Sequence, residues 1–369
     1  MQRQHFKALT PVCPSCRTRG LSSPLAVTLV EADDGEDILA GIIGCTVCGA
    51  EYPIIDGLPV IVADVRRFVQ DNLFYLMARD DLTPAVESLL GDASGPASGL
   101  DSLRQHVSSY AWDHWGDFDP LEDRQMPGGA APGGVARALG EALEMIAGDA
   151  LPEGPVLDLG CGAGRSVAEL AARMDRLVLG IDLSVPLARM ARRTVLSGQV
   201  DYARRRVGLA YDRRSFGHAL DAKGRADIWI CDALALPFSE RTFALAVGLN
   251  VLDCLGDPRA GLGEIGTVLK DDGQALLSVP FDWTGNVTPV EHWIGGHSQR
   301  GPLGGNAEPI LEMMLADGPM AAGPLRREKP PREIPWHVRL HERSCVHYQA
   351  HLVAARRIVG HNGADSEIG

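Results

Sequence analysis

Short apolar runs alternate with amphipathic stretches through the second half of the chain. Strands are expected at residues 155–159, 177–182, 227–231, 245–249 and 274–279, where the apolar run is too short for a buried helix. Residues 166–174, 186–197 and 261–269 lie between them and repeat apolar side chains at helical spacing, as do residues 135–147 ahead of the first strand. This alternation predicts an α/β fold with a doubly wound sheet from residue 151 onward. Residues 334–358 read as two further strands, with His337, Arg339 and His341 on one face and Val338 and Leu340 on the other. We read that polar face as solvated, with a metal on the histidines as the lesser alternative.

The first half is less regular. Residues 50–61 read as two short strands around an Asp-Gly turn, and Val65, Phe68, Val69, Leu73, Leu76 and Met77 carry helical spacing. Residues 91–99 and 127–134, rich in glycine, break the pattern and read as loops. Between the second helix and the third strand of the sheet lies an insert, residues 199–225, carrying Arg204, Arg205, Arg206, Arg213 and Arg214. It reads as a solvated basic face, with contact to an anionic acceptor as the alternative. The resulting division is residues 1–65, a helical linker at 66–150, the sheet at 151–358 and a disordered tail at 359–369.

The first strand of the sheet runs Val156-Leu157-Asp158-Leu159 straight into Gly160-Cys161-Gly162-Ala163-Gly164. Alternating glycines allow positive φ and close approach of backbone to a ligand. The second strand ends in Asp182-Leu183, and a carboxylate there can accept from both ribose hydroxyls of a nucleoside. A dinucleotide fingerprint would place a third glycine where Arg165 stands, so no glycine-cradled pyrophosphate is implied. Asp158 suits a cationic ligand better than a phosphate.

These residues resemble the first motif of the class I S-adenosylmethionine (SAM) methyltransferases. Cys231-Asp232-Ala233-Leu234 is similar to that family's adenine-side loop, and Leu249-Asn250 to its fourth-strand end. The likeness spans roughly residues 150 to 283, with Phe243-Ala244 departing from the acid often found at the fourth strand. It implies a Rossmann-like seven-stranded doubly wound sheet, SAM as methyl donor, and a cofactor site of Asp158, Gly160, Cys161, Gly162, Gly164, Asp182, Leu183, Asp232, Ala233 and Asn250. An aromatic of the preceding helix, Tyr110 or Trp112, is expected either to cover the cofactor or to staple the helix to the sheet. A general likeness to quinone-biosynthesis methyltransferases favours a small-molecule acceptor at O, N or C.

Two Cys-x-x-Cys knuckles, Cys13/Cys16 and Cys45/Cys48, lie in a segment too short for a large core, and together they predict one structural zinc. A redox dithiol is the rival reading. This N-terminal piece resembles the zinc-ribbon activator subunits of tRNA and translation-factor methyltransferases, so a small zinc-ribbon domain is expected ahead of the sheet.

A formal charge of −13 opposes non-specific attraction to nucleic acid or anionic membrane. No window approaches the run of about 18 apolar residues that a membrane span needs, and the first ten residues carry no apolar core, so a cytoplasmic address is expected. For the acceptor side, ligands of open α/β sheets bind outside the carboxyl ends of the strands, which points to Asn250, Asp253, Asp282, Glu291 and His292. His292 is the first choice of base on its ordinary titration range, with Asn250 beside it as a catalytic candidate. Trp283 and Trp293 are expected either to stack on a planar acceptor or to pack under a loop. An RNA methyltransferase using the ribbon for docking and a non-catalytic SAM-binding scaffold stand as alternatives.

Overall fold

A computed structural model of the chain describes residues 1–122, 126–222 and 224–358; the expected tail at 359–369 lies outside the described residues. The chain begins with α1 (Arg3–Leu9) and α2 (Pro14–Arg17), then the strands β1 (Leu25–Asp33), β2 (Ile38–Cys45), β3 (Glu51–Ile55) and β4 (Leu58–Ile61). Three helices follow, α3 (Val65–Met77), α4 (Pro84–Ser94) and α5 (Gly99–Trp115). After α6 (Gly134–Met145), the alternation runs β5 (Val156–Leu159), α7 (Arg165–Arg173), β6 (Val178–Ile181), α8 (Val185–Ser197). A hairpin, β7 (Gln199–Val207) and β8 (Ala210–Gly217), precedes β9 (Ala226–Cys231), β10 (Phe243–Leu249), α9 (Pro258–Val268) and β11 (Leu269–Val279). The chain closes with α10 (Ala307–Met314), β12 (Leu325–Arg327), β13 (Arg332–His341) and β14 (Ser344–Arg357).

Twelve strands form one mixed sheet in the order β1-β2-β3-β4-β9-β6-β5-β10-β11-β14-β12, with β13 also paired to β14, while β7 and β8 pair with each other. Parallel pairing from β9 to β11 makes the doubly wound centre, and antiparallel β14 closes it, as the sequence pattern predicts. Every residue of β5, β6 and β9 is buried, because helices cover both faces of a parallel sheet. Helices α6, α7 and α8 pack on one face, while α9 and α10 pack on the other.

The segment of residues 1–65, ahead of the doubly wound sheet in the chain, also extends that sheet at its edge. β4 pairs in parallel with β9, Val60 opposite Ile230 and Ile61 opposite Cys231. Cys13, Cys16, Tyr52, Trp229, Leu236 and Phe238 belong to one apolar cluster, so no solvent layer separates the ribbon from the sheet. Polar contacts add to this: Val12 N–H donates to the Pro237 carbonyl at 2.9 Å, Gln2 N–H to the Asp227 carboxylate at 2.9 Å, and Arg17 reaches Glu264 at 2.5 Å.

Two expectations change. Helix α4 continues through residues 91–94, leaving the loop shorter, because Gly91 gives the Arg104 guanidinium a place against the helix that any Cβ would fill. The arginine-rich insert is not a loose basic surface. Val200, Tyr202 and Arg204 face inward from β7, and Arg204 makes a bidentate pair with Glu122 at 2.6 and 2.7 Å. Arg206, Arg213 and Arg214 likewise pair with Asp212, Glu87 and Asp119.

Candidate functional site

A cavity of about 500 Å³ opens at the carboxyl ends of β5, β6, β9 and β10, roofed by α5 and by β13 and β14. Its size falls within the range of small-molecule sites. Two strand-to-helix turns build its floor. Gly160, Gly162 and Gly164 all take positive φ (64°, 51° and 87°), which lets the chain turn sharply from β5 into α7. Asp182 fastens that turn to the end of β6: its Oδ2 accepts from Gly162 N–H and its Oδ1 from Ser184 N–H, both at 2.8 Å.

The site residues named from the sequence divide into two sets. Asp158, Gly160, Asp182, Leu183, Asp232, Ala233 and Asn250 line the cavity. Cys161, Gly162 and Gly164 lie behind its wall. Cys161 is buried against Gly180, a Cβ on Gly162 would meet His114 and Tyr110, and Gly164 closes onto Ala191 of α8. Asn250 holds a left-handed φ of 53°, which asparagine tolerates, and its Oδ1 accepts from Ser278 Oγ at 2.8 Å.

The roof was only partly foreseen. Tyr110 lines the cavity, whereas Trp112 turns away and packs with Met126 and Ala130. The two residues that fix α5 over the glycine turn are its neighbours. Trp115 Nε1–H donates to the Ala163 carbonyl at 2.8 Å, and His114 Nδ1 accepts from Arg165 N–H at 3.2 Å. Burial, with Arg165 beside it, lowers His114 to about 3, which keeps that nitrogen an acceptor.

His292 does not join the cavity. Its Nδ1 bonds to the Gly256 carbonyl at 2.8 Å and its ring stands at the surface near Asp257, because residues 290–292 form a short turn outside the wall. Glu291 is exposed in the same turn. Trp283 and Trp293 stack on each other at 6.3 Å and line no part of this cavity, so their contact is packing. Asp253 and Asp282 do line it. Asp253 Oδ2 accepts from Asp282 N–H at 3.0 Å, Asp253 Oδ1 is buried without a partner, and Tyr348 donates to Asp282 at 2.7 Å. His106, not singled out in the sequence, also reaches the cavity, and burial lowers its titration.

The ionisable lining is mostly acidic, and burial raises several of its carboxyls, Asp113 to about 8. Among the described residues the cavity wall holds six aspartates, Asp113, Asp158, Asp182, Asp232, Asp253 and Asp282, and no lysine or arginine. Burial pushes the Asp158 carboxyl to about 7, against the Ser166 hydroxyl bond at 2.5 Å and with Asp182 adding to the rise. Asp182 is also raised by burial, and Asp253 reaches about 6 for the same reason.

In the N-terminal segment, Cys13, Cys16, Cys45 and Cys48 converge, their sulfurs all within 4.8 Å of one another. The Cys13–Cys48 and Cys16–Cys45 pairs lie at 3.6 and 3.8 Å. Four thiolates at about 2.3 Å from one ion in a tetrahedron would stand about 3.8 Å apart, so the donor set and spacing fit zinc. Tyr52 and Ser23 hydroxyls sit 3.1 and 3.2 Å from Cys13 and Cys45, as outer-shell partners of such ligands do.

Residues 132–307 match a family described as "Methyltransferase domain". The chain is similar to the O-methyltransferase cnsE of Penicillium expansum, 27% identical over 179 residues, which are 48% of this chain and 54% of that protein. It is also similar to the O-methyltransferase rstn1 of Aspergillus nomiae, 26% identical over 147 residues, 40% of this chain and 53% of that protein. The chain thus spans about half the length of these curated relatives. A SAM-dependent methyltransferase structure from Methanosarcina mazei aligns over 58% of this chain and 98% of its own, at 20% identity and a TM-score of 0.40. The domain match falls on β5 to β11, with the cavity above them, so residues 132–307 are similar to a methyltransferase domain.

Proposed function

We propose that this chain transfers a methyl group from SAM to a hydroxyl oxygen of a small, uncharged acceptor. The observation that carries this reading is the cavity wall itself, six aspartates without a single lysine or arginine among its described residues. At neutral pH the ionised carboxylates of that wall attract a sulfonium and repel phosphate, while Asp113, raised to about 8 by burial, stays protonated, so a nucleic-acid backbone or phosphorylated acceptor is disfavoured. SAM supplies, when bound, a methyl group on a cationic sulfur that leaves as a neutral thioether. Asp182 and Leu183 at the end of β6 and Asp232 and Ala233 after β9 are assigned to the nucleoside, and Asp158 to the positive charge. Asp182 is already engaged by two backbone N–H groups, yet a carboxylate has about four lone-pair sites and can still accept from ribose hydroxyls.

The acceptor is assigned to the other half, between Asp253, Asp282, Tyr348 and the roof residues His106 and Tyr110. SAM would supply the methyl group to the acceptor's hydroxyl oxygen, and the hydroxyl proton would pass to a base. Asp253 Oδ1 suits that role, being buried, unpartnered and on a carboxyl raised to about 6. This assignment replaces His292, whose ring stands outside the wall. Much of the rate would still come from alignment of the acceptor with the methyl group. The relatives' names, both O-methyltransferases, support oxygen as the acceptor atom.

The four cysteines are assigned to one zinc whose role is structural, since four thiolates leave no open position. The test of the whole reading is methyl transfer from labelled SAM into panels of phenols, anilines and total RNA. Label in the phenols alone supports it; label in RNA alone would overturn it.

A further inference from the structure

A second hollow, of about 350 Å³, lies next to the first at the carboxyl end of β11, and the two share Pro280. It is reached from the opposite face of β14: Tyr348 points into the first cavity, while Gln349 and His351 line the second. Phe281, with a left-handed φ of 56°, bends the chain between the two hollows and places its ring 6.0 Å from His351 and 6.3 Å from Trp283.

Two polar atoms of the residues lining this hollow have no partner among the described residues. His351 is 4% exposed, its Nδ1 bonds to Glu333 Oε1 at 2.5 Å, and its Nε2 is buried and unsatisfied. A carboxylate only accepts, so Nδ1 carries the proton, and wherever the ring is neutral Nε2 is a bare acceptor. Trp283 Nε1–H, a donor only, is also buried and unsatisfied. Leaving such groups unpaired costs about 1–3 kcal/mol each, so a hollow that keeps both calls for something that satisfies them.

We propose that this hollow is a second ligand site, distinct from the methyl-transfer cavity, for a small uncharged aromatic compound bearing a hydroxyl beside a second oxygen. The hydroxyl donates to His351 Nε2, the second oxygen accepts from Trp283 Nε1–H, and the Phe281 and Trp283 rings supply the apolar contact. Glu308 and Glu333 line the hollow and no lysine or arginine does among the described residues, so an anionic ligand is disfavoured. Methylating the hydroxyl removes the donor that His351 needs, so the site discriminates a free hydroxyl from its methyl ether.

The test uses the full chain with catechol as probe and 1,2-dimethoxybenzene, which keeps both oxygens but has no donor, as control. The indole N–H resonance of Trp283 is assigned among the six tryptophans by its loss in Trp283→Phe. Catechol should shift that resonance saturably, with the dimethoxy control at least roughly tenfold weaker, as loss of one hydrogen bond implies. His351→Phe, which fills the ring's space, should abolish the preference for catechol. A Trp283 resonance that catechol leaves unmoved would mean that water alone satisfies the two atoms, and equal binding of the two compounds would mean apolar contact alone; either result overturns the proposal.

Discussion

The charge on Asp158 gives the sharpest test of how SAM is held. This carboxyl is 1% exposed, and burial raises it to about 7 in the free protein. Binding a cation beside it favours the ionised form, so the bound carboxyl titrates lower. The sign follows: below pH 7 binding must first drive off a proton, and apparent affinity falls as pH falls. With the free group at about 7 and the bound group at 5 or below, Kd at pH 6 should be about tenfold that at pH 8, equivalent to about 1.4 kcal/mol. Asp158→Asn keeps the side-chain size and can still accept from Ser166, but it cannot ionise. It should weaken SAM at pH 8 by about 1.5–3 kcal/mol, the scale of a lost charge-assisted interaction, and lose the extra pH dependence. Calorimetric titrations of both proteins at pH 6, 7 and 8 measure this, because the ligand's own titration is common to both and cancels in the comparison. Identical pH slopes for wild type and Asp158→Asn would refute the electrostatic role of this residue.

Other outcomes are expected from the same geometry. Asp253→Asn should lower kcat by about 10²- to 10⁴-fold while leaving SAM affinity nearly unchanged, and wild-type kcat should rise with pH through about 6 as Asp253 ionises; a variant at full rate would return the chemistry to positioning alone. Gly162→Ala puts a Cβ 2.7 Å from His114 Nε2 on a backbone with φ 51°, so calorimetry should find SAM binding lost and thermal unfolding should occur at lower temperature. Protein purified without chelators should contain one zinc per chain by elemental analysis, and stripping it should weaken SAM as well as melt the ribbon, by roughly 1–3 kcal/mol of coupling. Unchanged SAM affinity in metal-free protein would show that the two sites are energetically separate.

The glycine turn, the parallel sheet and the four cysteines were legible because each depends on local sequence: a buried run, a turn needing positive φ, a short ligand spacing. What was illegible depended on partners distant in the chain. The β7–β8 hairpin hides its alternation because Arg204 occupies an inward position, paired there with Glu122 some eighty residues earlier. Strands β1 and β2 pair through register shifts near Val27 and Ala32, which break the period of two that would have marked them. His292 sits close in sequence to the acceptor side, yet the path of residues 283–292 carries it outside the wall; only the three-dimensional course separates it from Asp253. The roof could have been read further, since Trp115 and His114 belong to the same aromatic cluster as Tyr110, but which of them faces the turn depends on the helix's rotation.

The edge position of the ribbon changes what its metal site stands next to. Without residues 1–62, β9 would be an edge strand with free backbone groups, and the strand that would be exposed is the one that leads into Asp232 in the cavity. β4 covers that edge, Val12 holds the Pro237 carbonyl, and Glu264 receives both Arg17 and, at 3.4 Å, the Leu236 N–H. The loop from Asp232 to Phe238 is therefore held from the ribbon side by a strand pairing, a backbone bond and a shared carboxylate. A tethered docking module would leave this loop to itself. Order in the cysteine site and order in the nucleoside side of the cavity are thus linked by contacts rather than by chain connectivity alone, and this is why metal loss is expected to be felt at the cofactor.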